Sequence, residues 1–109
     1  MSSVVVIGDR DTVVGFRLAG ISRCHVHDQP SETERFIREA LSADVGVVII
    51  TERAASEVRG TIDRLRGEKG RVKPIFVEIP DKRGPMTGED RLQNLIRRVV
   101  GVEVSLEAR

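Results

Sequence analysis

Apolar positions along this chain fall into two alternating patterns. Val4-Val5-Val6-Ile7 and Val45-Gly46-Val47-Val48-Ile49-Ile50 are continuous runs rich in β-branched residues, the mark of strands buried on both faces. Arg23-Cys24-His25-Val26-His27 alternates in character and predicts a half-exposed edge strand. Pro74-Ile75-Phe76-Val77-Glu78-Ile79 predicts a fourth strand. Between these runs the period lengthens to that of a helix. Asp9 or Asp11 can cap a helix over about 11–19 that stops at Gly20. Pro30-Ser31 opens a second, with Glu32 and Glu34 at the positive end of its dipole and Phe36, Ile37, Ala40 and Leu41 on its apolar face. Ala55, Val58, Ile62 and Leu65, spaced three, four and three, predict one further helix, stopped by Gly67 and Gly70. Leu92, Leu95, Ile96, Val99 and Val100 form the cleanest stripe, on a helix over roughly 89–100.

Strands and helices in alternation with short connections imply parallel strands joined by right-handed crossovers. The expected fold is therefore α/β, a four-stranded parallel sheet with helices on both faces. The two β-branched runs belong at its centre and the polar strand at an edge, giving the order 2-1-3-4 of receiver and flavodoxin-like domains. Residues 1–80 would form this core, and 81–109 a Pro/Gly-rich connection, a C-terminal amphipathic helix and a tail. Pro80, Gly84, Pro85 and Gly88 break the pattern before that helix and would let it swing away. Residues 102–109 fit a frayed strand or a helix extension equally.

Composition narrows the function classes. With 18 basic and 17 acidic side chains the net charge is +1, and no tail or arm is electrostatically set apart. Binding nucleic acid through a bulk positive field is thereby disfavoured. Trp and Tyr are absent and there are three Phe, so stacking platforms for bases or flavins are scarce. No apolar run approaches the roughly 20 residues that cross a bilayer, and no secretory leader is expected after Met1-Ser2-Ser3. A lone Cys24 cannot form an internal disulfide, which suits a reducing cytosol. Fifteen Arg against three Lys suits surface ion pairs or protein contacts, and genomic base composition explains it as readily.

Ligands of open α/β sheets gather at the carboxyl ends of the strands. After the first strand, Gly8 and Gly15 stand too far apart for a phosphate loop, and no Lys-Ser/Thr pair follows. The Gly-x-Gly-x-x-Gly dinucleotide pattern is also missing. A receiver domain needs acidic residues after strand one, which Asp9 and Asp11 can supply, and a phosphate-accepting Asp after strand three. That position reads Thr51-Glu52. The chain is thus expected neither to hydrolyse ATP nor to take phosphate from acetyl phosphate. His25, His27 and Asp28 lack a spaced fourth ligand, so the histidines are read as a solvent-facing pair that keeps the edge polar. Cys24, on the opposite face, is read as a buried or half-buried thiol. No catalytic, cofactor or metal site emerges. A degenerate receiver-type signalling domain remains the alternative reading, and a small ligand-binding or transferase enzyme lacks a visible site.

The segment Gly8-Asp9-Arg10-Asp11-Thr12-Val13-Val14-Gly15-Phe16-Arg17-Leu18-Ala19-Gly20-Ile21 resembles the N-terminal signature of the F subunit of V-type and archaeal A-type rotary ATPases. The third strand closing on Thr51-Glu52, the run Pro74 to Pro80 followed by Gly84-Pro85, and the terminal amphipathic helix extend the resemblance over almost the whole chain. It implies a non-catalytic central-stalk component that couples or regulates rotation and ATP turnover. Its implied partners are the coiled-coil D subunit and the A/B catalytic head, without nucleic acid or direct membrane insertion. Its implied place is cytoplasmic, peripheral to the membrane within the complex. Under this reading Leu92, Leu95, Ile96, Val99 and Val100 form a partner-binding stripe.

Overall fold

Four parallel strands carry the chain's β-branched runs: β1 (Ser3–Gly8), β2 (Cys24–Val26), β3 (Val45–Thr51) and β4 (Ile75–Ile79). They lie in the order β2-β1-β3-β4, so the apolar runs hold the centre as their composition dictates. The computed structural model describes residues 3–43, 45–67 and 74–100; the reading of 102–109 lies outside them. In register, Val5 pairs with Val48 and Val48 with Phe76, while Val6 pairs with Ile49 and Ile49 with Val77. Alternation then assigns Val5, Ile7, Val48, Ile50 and Phe76 to one face of the sheet, and Val4, Val6, Val47, Ile49, Ile75 and Val77 to the other.

Five helices follow among the described residues: α1 (Arg10–Leu18), α2 (Pro30–Ser42), α3 (Glu52–Glu57), α4 (Arg59–Gly67) and α5 (Gly88–Val100). The crossover direction reverses after β2, so right-handed connections place α1 and α2 on opposite faces. On the first face, Ile37 and Ala40 of α2, Ala54 and Ala55 of α3, Val58, and Ile62 and Leu65 of α4 join the strand residues in one buried cluster. On the second face α1 shields β1: Val6 and Val13 are buried. That cover stops short of β4, where Ile75 is 65% and Val77 41% exposed.

The single helix expected from the stripe Ala55, Val58, Ile62 and Leu65 is in fact two. Val58 leaves the helical region at φ −122°, ψ 26°, and its N–H bonds the carbonyl of Ala55, three residues back. All four apolar side chains stay buried across the break. The spacing is therefore blind to it, because both pieces face the same core. Thr51 starts α3 by accepting the N–H of Ala54 (3.3 Å), and Val58 hands its carbonyl to Ile62 to start α4.

Candidate functional site

The carboxyl ends of β1, β3 and β4 meet where a receiver would do its chemistry. Gly8 closes β1 so near Thr51 that an added Cβ would lie 2.7 Å from the threonine methyl. Asp9 caps α1, taking the backbone N–H of Thr12 at 3.3 Å and its hydroxyl at 2.6 Å. Burial pushes the Asp9 carboxyl up, but the two Thr12 bonds and the charge of Lys82 outweigh it and hold the group below its ordinary range. Asp11 pairs with Lys82 on the surface (2.5 Å). Thr51 occupies the acceptor position, 2% exposed and committed to its cap. Asp9, Arg10, Asp11, Asp81, Lys82 and Arg83 line a shallow cleft of about 310 Å³ here. Its carboxylates are already matched with helix N–H groups and cations, an arrangement that ties elements together.

The tie continues into the segment before α5, which is a fastened turn. Gly84 takes φ +88° where the turn reverses, and its N–H bonds the carbonyl of Asp81 (2.8 Å). The Asp81 carboxylate is 4% exposed and meets Arg53 at 3.1 Å. Arg53 also reaches Asp90 in the first turn of α5 (3.3 Å). Glu52 accepts the N–H of Met86, itself buried. Thr87 and Asp90 then exchange bonds, Thr87 N–H to Asp90 and Asp90 N–H to Thr87 Oγ1, a reciprocal cap at the helix start. Apolar spacing alone missed this cap, although Thr87-x-x-Asp90 spells it out.

Beyond that fastened start, the two leucines of the α5 stripe turn outward. Leu92 is 55% and Leu95 49% exposed, and Ile96 is half-buried; Val99 and Val100 lie on the helix, with side chains outside the described set. The leucines are therefore not consumed by the chain's own core.

The histidines are not the solvent-facing pair expected. Both turn toward the hydroxyl of Thr33, a fully buried residue of α2, with His25 Nε2 at 3.0 Å and His27 Nδ1 at 2.6 Å. His27 Nε2 meets Glu57 of α3 at 2.8 Å, and His25 stacks on Phe36. The physical reason is that α2 passes beneath the strand end and offers a polar atom there. Cys24 is half-buried, as expected, its thiol donating to the Ile21 carbonyl (3.4 Å).

The family described as ATP synthase (F/14-kDa) subunit matches this chain over residues 4–96. The chain belongs to that family. The A-type ATP synthase F subunit of Pyrococcus furiosus is 45% identical over 106 residues, covering 93% of this chain and 96% of the relative. That of Methanothermobacter thermautotrophicus is 41% identical over 104 residues, covering 94% and 96%. Among solved structures, the V-type ATP synthase F subunit of Archaeoglobus fulgidus superposes with a TM-score of 0.54 at 31% identity, covering 72% of this chain and 96% of that one. At that identity the likeness extends from sequence to fold. No helix among the described residues is long and apolar enough to cross a membrane.

Proposed function

We propose that this F-subunit chain is a non-catalytic component of the central stalk of an A/V-type rotary ATP synthase, acting by protein contact. The observation that carries the reading is the outward pair Leu92 and Leu95, about half exposed on a helix whose first turn is anchored to the sheet end. An exposed apolar stripe at i, i+3 and i+4 is the form in which a helix presents itself to another helix. Leu92, Leu95, Ile96, Val99 and Val100 would meet the coiled-coil D subunit and the A/B head, and the complex would lie on the cytoplasmic side of its membrane. The strand ends support the non-catalytic part, since Thr51 and the paired Asp9 and Asp11 are engaged in capping and ion pairs. Co-expression with the coiled-coil partner, followed by size-exclusion chromatography, tests the proposal. Co-elution of the two chains is expected, and separate elution of two folded chains would refute it.

A further inference from the structure

One polar cluster lies apart from the stripe. His25 and His27 of the β2 edge, Thr33 of α2 and Glu57 of α3 form an unbroken hydrogen-bonded chain of 3.0, 2.6 and 2.8 Å links. Its central atom, Thr33 Oγ1, belongs to a residue with no exposure, so every bond there must be met from within. The Thr33 hydroxyl holds a single proton. It can donate to one imidazole only, and must accept from the other.

Glu57 fixes the direction. Its carboxylate accepts, so His27 carries a proton on Nε2. With both imidazoles neutral, His27 Nδ1 is then bare and accepts from Thr33, while Thr33 accepts from His25 Nε2–H. A second arrangement satisfies the same three contacts with one more proton. There His27 carries protons on both nitrogens, Thr33 accepts from His27 Nδ1–H and donates to His25 Nε2, and neutral His25 keeps its proton on Nδ1. A doubly charged pair fails, because both rings would donate to Thr33 and leave its own proton without a partner in a dry site.

We propose that these four residues form a one-proton relay that fastens the β2 edge to α2 and α3, with the charge held on His27. The conversion balances. A solvent proton bonds to His25 Nδ1, the His25 Nε2–H bond passes its proton to Thr33 Oγ1, and the former Thr33 proton moves to His27 Nδ1. The net gain is one proton, and it converts the hydrogen bond from a neutral imidazole to the Glu57 carboxylate into an ion pair at 2.8 Å. The charged groups facing the cluster agree with this placement. Glu57 on α3 faces His27 directly. Burial opposes a charge on His25 most and a charged His27 next; on α2, Glu32 favours one and Arg35 opposes it, with Glu39 lining the same cleft, and the balance holds the His25 ring below its ordinary range. The paired stretch of β1 sets Ile7 beside His25 and Gly8 beside Val26, adding no titratable group.

The test is nitrogen-15 NMR of the imidazole rings in the full chain, titrated from alkaline to mildly acidic pH. The expected result is that His27 becomes doubly protonated while His25 stays neutral and shifts from the Nε2–H to the Nδ1–H form over the same pH interval. In Thr33→Val the tautomer shift of His25 should vanish and the two rings should titrate independently, whereas Thr33→Ser should retain the coupling. Should Thr33→Val fail to fold, the wild-type titration decides alone. Charging of His25 before or together with His27, or a His25 tautomer indifferent to His27, overturns the relay.

Discussion

Two side-chain environments set the sharpest expectations at the scale of single residues. Gly8 is buried between strand and helix, and its missing Cβ leaves room for the Thr51 methyl. Gly8→Ala should therefore cost about 1–3 kcal/mol by overpacking, measured by urea unfolding. Gly15→Ala, which meets nothing within 4 Å, should be neutral or mildly stabilising and serves as its control. Glu78 makes two bonds to the Arg59 guanidinium, at 2.6 and 2.8 Å. Those bonds, with the charge of Arg59 and then of Arg66, hold its carboxyl below the ordinary 4.5 despite burial. A carboxyl depressed in the folded state contributes stability that is fully present above its unfolded value and is lost as pH falls through its folded one. Glu78→Gln should thus be less stable than wild type at neutral pH and lose less on acidification below 4.5; parallel losses in the two proteins would contradict the assignment. Neither environment can be read from spacing, since each depends on which strand lies beside which helix.

At the scale of elements, periodicity reported the strands and most helices because burial imposes it. The two central strands were legible from β-branched runs, and the edge strand from alternation. What periodicity could not report was the break at Val58, where both halves keep the same buried face, or the direction in which His25 and His27 point. The latter depends on a threonine eight and six residues onward in sequence, brought near by the turn into α2. The stripe of α5 illustrates a further limit: a helix buried at home and one awaiting a partner share one pattern. Exposure separates them. Leu92→Asp with Leu95→Asp should leave thermal stability nearly unchanged, as surface substitutions usually stay within about 0.5 kcal/mol each. The same pair should abolish co-elution with the coiled-coil partner. A large drop in melting temperature would show that the leucines serve the chain's own core instead.

For the molecule as a whole, the buried cluster among the described residues lies before α5. It draws on strands β1, β3 and β4 and helices α2, α3 and α4. A chain ending at Thr87 keeps Met86 and the Asp81–Arg53 pair, and loses the Arg53–Asp90 pair, which as a partly exposed contact is worth at most about 1 kcal/mol. That shortened chain should give the circular dichroism of a folded α/β domain and melt cooperatively, only a few degrees lower. Cutting at Pro80 instead removes Asp81 and Met86 and should be the more damaging truncation. The reverse order of stabilities would mean that α5 carries core weight.

The uncovered end of the sheet has a thermal consequence. Ile75 and Val77 on β4, with Leu92 and Leu95 on α5, keep apolar surface in contact with water. Any complex that covers those side chains releases that hydration, and each Å² of apolar surface withdrawn lowers the heat capacity by roughly 0.45 cal/mol/K. The enthalpy of association then becomes more negative on warming, while the apolar contribution to affinity fades on cooling. Calorimetric titrations at several temperatures should accordingly show a negative slope of enthalpy with temperature. A complex of this kind holds best warm and loosens in the cold.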